Sequence, residues 1–372
     1  MPTSKLYIPN ARDRALISRS IEIILEGQSP SGAYIASPNF NSYKYSWLRD
    51  GAYCAKAMDT VGETESASRF HRWVESTLFG QRIHAESLIR RLERGEVPEK
   101  DDMLPTRYTL QGKLEEIGEV EESPWPNYQL DGYGIWLHEL EVHHRHLGTT
   151  DFNSEVVDLV ARYLSATWET DCFDCWEEIG DGRHASTLAA IAAGLKSAGS
   201  LLGEEKFIKK SEEVREYLLA NFVRNGRFCK GLLDDRVDSS LLCVALPFEI
   251  VPIESPAFTR TVDAIRTELR GGSGGIYRYL GDTYYGGGEW ILLTSWLGWF
   301  DLLTDNFAEF DVANNWVASQ VTENFDLPEQ STKGVQEPSM IQPWVERWGQ
   351  VATPLLWSHA MYLLMIHEGE KK

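Results

Sequence analysis

Cysteine is scarce in this chain of 372 residues, and its count is odd: Cys54, Cys172, Cys175, Cys229 and Cys243. An odd number at irregular spacing argues against a disulfide framework and for a reducing compartment. Only Cys172 and Cys175 stand at metal or redox spacing, with no second such pair to complete a zinc site. His143, His144 and His146 cluster before Gly148, where they read as a helix C-terminal cap rather than as metal ligands. No metal and no cofactor is expected. Basic residues are also short: 36 Lys and Arg against 56 Asp and Glu leave a net charge of −20. Such a surface repels nucleic acid and anionic membranes. No apolar run follows Met1 as in a secretion signal, and no stretch reads as a membrane span, so a cytoplasmic protein is expected. Sustained period-two alternation, low-complexity tracts, linkers and sequence repeats are missing too. Their absence favours helices over strands and a single domain over residues 1–372.

Aromatic residues, by contrast, are plentiful, with 13 Trp, 15 Tyr and 14 Phe. They suit stacking on sugar rings as well as core filling. Helical periodicity dominates the chain. Residues 10–27 place Ile17, Ile21, Ile24 and Leu25 on one helix face. A helix opens near Tyr43–Asp50 and closes near Gly62, and a charged one follows from Glu63 to Phe79. Residues 97–128 read as a long loop, a length usually tied to function. Further on, helices alternate in character. Thr187–Leu202 and Trp290–Thr304 are apolar nearly all round, whereas Glu204–Phe222 and Phe307–Gln320 are amphipathic. A helix apolar all round is buried on every side. An inner ring covered by an outer ring follows, and the length suits six helical hairpins. The expected fold is all-α, an (α/α)6 barrel.

The chemistry-bearing stretches fall at the ends of the inner helices, where loops of such a barrel converge on one pocket. Trp176-Glu177-Glu178 lies among aspartates and glycines just before an inner helix. Adjacent carboxylates repel, and an aromatic wall desolvates them, so one pKa is expected to rise as a general acid requires. Gly275–Gly288 pairs Arg278 and Asp282 with tyrosines and with glycines that allow unusual backbone angles near a ligand. Leu327-Pro328-Glu329-Gln330 offers a candidate second carboxylate.

Taken in order, these segments resemble glycoside hydrolase family 15, the glucoamylase family, from Tyr43 to Ala360. Tyr43-x-Tyr45-x-Trp47-x-Arg49-Asp50 is similar to the segment that binds the non-reducing glucose. Trp125, Gln129 and Asp131-Gly132 resemble the loop with the pocket tryptophan. Trp176-Glu177-Glu178 resembles the catalytic-acid segment and Glu329-Gln330 the catalytic-base segment. Arg278-Tyr279-x-x-Asp282-Thr283-Tyr284-Tyr285 and Trp357-Ser358-His359-Ala360 resemble two further pocket motifs.

The resemblance implies an inverting, exo-acting α-glucoside hydrolase. Glu177 would be the general acid and Glu329 the general base, roughly 6.5–9.5 Å apart with room for a water. Arg49, Asp50, Glu178 and Arg278 would bind sugar hydroxyls, with Tyr284 and Gln330 also at the site. Trp47, Trp125, Trp176 and Trp357 would form the walls. Tyr43 would sit beside the attacking water, and Glu178 would hold the Glu177 pKa high. An optimum on the acidic side of neutral is expected. The chain departs from the pattern at Arg183-His184 and in a long segment after Glu329 that contains Trp344 and Trp348. Both are expected to narrow the site for the leaving sugar. They favour short α-linked gluco-oligosaccharides over starch, with a lean to the α-1,6 linkage. Glucoamylase or trehalase activity, a phosphorylase, and a non-catalytic sugar-binding protein are the alternatives. The oligomeric state is not legible.

Overall fold

The computed structural model describes residues 7–97, 99–115 and 125–367. The first six helices are α1 Ala11–Glu26, α2 Leu48–Thr60, α3 Thr64–Gly80, α4 Arg82–Glu93, α5 Asp131–Leu147 and α6 Ser154–Thr167. Then come α7 Ala185–Leu202, α8 Glu205–Asn221, α9 Pro256–Glu268, α10 Ile291–Leu303, α11 Phe307–Ser319, α12 Ile341–Trp348 and α13 Leu356–His367.

Burial sorts them into two rings. The helices α2, α5, α7, α10 and α13 are buried nearly all round. Neighbours pack in the order α13–α2–α5–α7, and the turn Ser239–Val244 joins α7 to α10, which meets α13 again. Outside them lie α1, α3, α6, α8, α9 and α11, each preceding its inner partner in the chain. The fold is the expected (α/α)6 barrel, with one difference. The fourth inner position holds a short 3-10 segment, Ser239–Val244, in place of a full helix. Asp238 starts it by accepting from the Ser240 N–H at 2.8 Å.

Local chemistry explains several boundaries. Asn10 and Asp13 form a reciprocal capping box at the start of α1. The left-handed Gly203, φ 68°, ends α7. Among the described residues α7 is the one helix long and apolar enough, by length and composition, to cross a membrane. Here it is wedged between α5 and α8. Where α5 and α7 cross, a Cβ on Gly134 would lie 2.3 Å from the Ala190 carbonyl oxygen. The helices can approach this closely because that side chain is absent.

Three sequence expectations need correction. On α1 the buried positions are Asp13, Leu16, Ser20, Ile23 and Ile24, while Leu25 is 39% exposed. The face is rotated because polar groups hold it: Ser20 Oγ lies 2.9 Å from His359 Nδ1. His143 does not serve as a C-terminal cap. It is buried between helices, with Nδ1 2.7 Å from Asp59 Oδ2 and Nε2 2.9 Å from Ser68 Oγ. Gly148 in the left-handed conformation ends α5 instead. The loop reading of 97–128 misses a short strand, Arg107–Tyr108, paired antiparallel with Ser46–Trp47. Residues 98 and 116–124 of that loop lie outside the described residues.

Candidate active site

Every chemistry-bearing loop leads from an outer helix to the N-terminal end of an inner element. They therefore meet on one face of the barrel. Two-residue strand pairs tie them together: Ser46–Trp47 to Arg107–Tyr108, and Glu289–Trp290 to Gln330–Ser331.

The Glu177 loop is held from below by a buried charge cluster. Asp174 Oδ1 accepts from the N–H groups of Glu178, at 2.9 Å, and Ile179, at 3.2 Å. Lys230 pairs with Asp174 at 3.1 Å and with Asp238 at 2.9 Å. Asp238 also accepts from the Trp176 indole N–H at 3.0 Å. These bonds hold Glu177 in a left-handed conformation, φ 67°, that a side chain rarely adopts. Its Oε1 accepts from Trp47 Nε1 at 2.6 Å and Gln129 Nε2 at 2.8 Å, with the Arg49 guanidinium at 3.7 Å. Donors crowd Oε1, so an acidic proton belongs on Oε2. Burial pushes the Glu177 carboxyl up, against the pull of Arg49, Gln129 and Trp47. Of the two expected causes, desolvation raises it, and repulsion by Glu178 does not. Glu178 is ion-paired instead, with Arg278 at 2.6 Å, and it accepts from the Tyr279 hydroxyl.

Glu329 stands on the other loop and is 3% exposed. Its Oε1 accepts from the Tyr43 hydroxyl at 3.0 Å. The single Tyr43 proton is thereby committed, so the Tyr284 hydroxyl, 3.0 Å away, donates to Tyr43. Oε2 carries no hydrogen bond among the described residues. Burial pushes Glu329 up to about 8, against the pull of Tyr43 and Arg278. Asp50, 3.3 Å from Arg49, is likewise pushed up by burial to about 7.

Twelve of the predicted site residues line one cavity of about 230 Å3. They are Glu177 and Glu329, the walls Trp47, Trp125, Trp176 and Trp357, and Tyr43, Arg49, Asp50, Glu178, Arg278 and Tyr284. Gln330 is the exception and does not reach the cavity. Its amide accepts from the Gly288 N–H at 2.8 Å and donates to the Tyr284 carbonyl at 3.1 Å, so it fixes the loop behind Glu329. Strand alternation explains this: neighbours in an extended segment point to opposite sides. Arg183 and His184 do not line the cavity either. Arg183 lies 4.7 Å from the Tyr217 ring, and His184 bonds the Cys172 carbonyl at 3.0 Å. Trp344 and Trp348 do line it, on α12, together with Arg347 and Trp290. Nothing in the spacing marks Arg347, since it belongs to an added helix without a motif. Among the described residues no cluster of three or more His, Cys, Asp or Glu could hold a metal, and the five cysteines are free and buried.

A helical double ring with two buried carboxyls in one tryptophan-walled cavity defines a glycoside hydrolase. The chain belongs to the glycosyl hydrolases family 15, whose pattern matches residues 11–325. It is 37% identical over 366 residues to an isomaltose glucohydrolase of Kribbella flavida, covering 96% of this chain and 93% of that protein. A solved glycosidase in complex with glucose is 36% identical, with a TM-score of 0.89, covering 96% of this chain and 97% of that one. A bacterial glucoamylase complexed with acarbose shares the fold at 20% identity, with a TM-score of 0.70, over 96% of this chain and 55% of its own.

Proposed function

We propose that this enzyme releases β-glucose, with inversion, from the non-reducing end of short α-linked gluco-oligosaccharides, favouring the α-1,6 linkage. Glu177 is the general acid: it protonates the glycosidic oxygen as the bond to the anomeric carbon breaks. Glu329 is the general base: it takes a proton from a water that attacks the same carbon from the opposite face. Tyr43 steadies that water beside Glu329. Arg49 and Asp50 hold the terminal glucose, and Arg278 holds hydroxyls nearer the cleaved bond. After turnover Glu177 is ionised and Glu329 protonated, so exchange with solvent resets the pair. The carrying observation is that both carboxyls reach one cavity from separate loops, each with its own donors.

The volume supports a short substrate, since about 230 Å3 lies below the ~300–1,000 Å3 usual for small-molecule pockets. The relative named isomaltose glucohydrolase supports the linkage. A cytoplasmic setting, where short oligosaccharides rather than polymers are met, completes the reading. Isomaltose, maltose, nigerose, trehalose and soluble starch are to be compared by kcat/KM, with NMR of the first-formed anomer. Isomaltose is expected to lead and β-glucose to appear first. Starch in the lead would refute the short-substrate reading, and maltose above isomaltose the linkage. An α-anomer appearing first would refute inversion. Turnover that needs phosphate would make the enzyme a phosphorylase.

A further inference from the structure

The helix α12 belongs to the segment that departs from the family pattern, and its residues set it apart from the other walls. Trp47, Trp125, Trp176 and Trp357 are buried, whereas no residue of α12 is. The cavity is therefore closed by the barrel loops and rimmed by α12. In an exo-acting pocket the terminal glucose takes the closed end, so the rim is where the leaving group lies.

The rim is built and not merely draped there. Trp344 Nε1 donates to the Thr283 carbonyl at 2.9 Å, and the Tyr285 hydroxyl donates to the Gly349 carbonyl at 2.9 Å. Gln336 bonds the Tyr279 carbonyl at 3.0 Å and accepts from the Gly281 N–H at 3.0 Å. The helix is thus strapped to the loop that carries Arg278. Trp348 stacks on Trp125 with ring centres 5.9 Å apart, and Trp344 lies 5.0 Å from Trp348. The Arg347 guanidinium lies 4.7 Å from the Trp348 ring and 5.5 Å from the Trp344 ring. Two indoles and one oriented guanidinium therefore border the mouth.

Resting on the hydrolase reading above, we infer that α12 is the binding site for the leaving group, and that this group is a hexose ring. Indole faces take the apolar C–H face of such a ring. Arg347 offers donors to its hydroxyls, held in place by the rings beneath. The barrel core thus reads the glucose, and the added helix reads what is attached to it.

The test compares two substrates on Arg347→Ala and Trp348→Leu. One is isomaltose. The other is α-glucosyl fluoride, which has no leaving sugar: water adds at the anomeric carbon as fluoride departs. Both variants are expected to lose at least about tenfold more kcat/KM on isomaltose than on the fluoride, about 1.4 kcal/mol of selective transition-state contact. Equal losses on both substrates, or no loss on either, would overturn the inference. Two variants guard against a local packing defect in one of them, and circular dichroism checks that each is folded. Failure of the parent reading looks different: the unmodified enzyme would then cleave neither substrate.

Discussion

Lys230 never touches the cavity, yet the acid loop depends on it. It is 4% exposed and neutralises two buried carboxylates, Asp174 and Asp238, at 3.1 and 2.9 Å. Asp174 holds the backbone after Glu177, and Asp238 holds the Trp176 indole. Lys230→Met keeps the stem and removes the charge. Breaking a buried ion pair by deleting one partner costs about 3–5 kcal/mol, because the remaining charge is left uncompensated. At ~2 °C per kcal/mol that is a fall in Tm of roughly 6–10 °C near neutral pH. The pH dependence has a definite sign. Burial raises Asp174, but Lys230 and the N–H donors outweigh it, and its carboxyl sits below the usual range. A depressed carboxyl stabilises the fold above its unfolded pKa, and that contribution is lost as pH falls through the folded value. Without Lys230 the orphaned carboxylates gain by taking up protons. The Tm gap between variant and parent is therefore expected to narrow as pH falls towards ~4. A shift of about 1 Å in the loop costs on the order of 100-fold in turnover, so kcat is expected to fall more than KM rises. Thermal unfolding between pH 4 and 8, with steady-state kinetics at neutral pH, reads both effects. A fall worth under ~1 kcal/mol, or a gap that does not change with pH, would refute the reasoning.

Three further outcomes are expected. Glu177→Gln and Glu329→Gln each lower kcat on isomaltose by at least ~100-fold while Tm stays close to the parent value; near-full activity in either would reassign that role. The kcat/KM profile of the parent enzyme falls on both sides of its optimum, with both limbs above the ordinary carboxylate range, because burial raises Glu329, to about 8, and Glu177 together. An acidic limb in the ordinary carboxylate range near ~4 would refute the assignment. Glu178→Gln leaves the alkaline limb in place, since Arg278 already neutralises Glu178 and burial is what lifts Glu177; a limb moved to lower pH would show direct coupling.

With both glutamates raised by burial, the optimum is expected higher than the acidic side of neutral that the sequence suggests. The expectation from sequence includes desolvation at Glu177 beside Trp176 but none at Glu329. The fold desolvates Glu329 as well and gives Glu178 to an arginine, which no local pattern records.

Period and pattern are local properties, and they made the rings legible. The all-round apolar character of α7 and α10, against the amphipathic α8, follows from which faces must leave water. Motif order likewise placed Trp47, Arg49, Trp125, Glu177, Arg278, Glu329 and Trp357 on converging loops. What tertiary structure alone decided are the matters set by partners distant in the chain. Ser239–Val244 fills an inner position with one short turn, because its neighbours bury it whatever its own periodicity. Gln330 faces away from the cavity through pairing with Glu289–Trp290, and Lys230 serves Glu177 only because Asp174 and Asp238 are brought together. The α12 rim is the clearest case. Its tryptophans stand in sequence without a motif, and their place at the mouth comes from bonds to Thr283 and Tyr285, more than fifty residues earlier. Sequence by itself determined the barrel, since local burial specifies it, and motif order set both glutamates on loops that meet at one cavity. Tertiary packing decided the charge states and the rim, because desolvation and long-range contact exist only once the chain has folded.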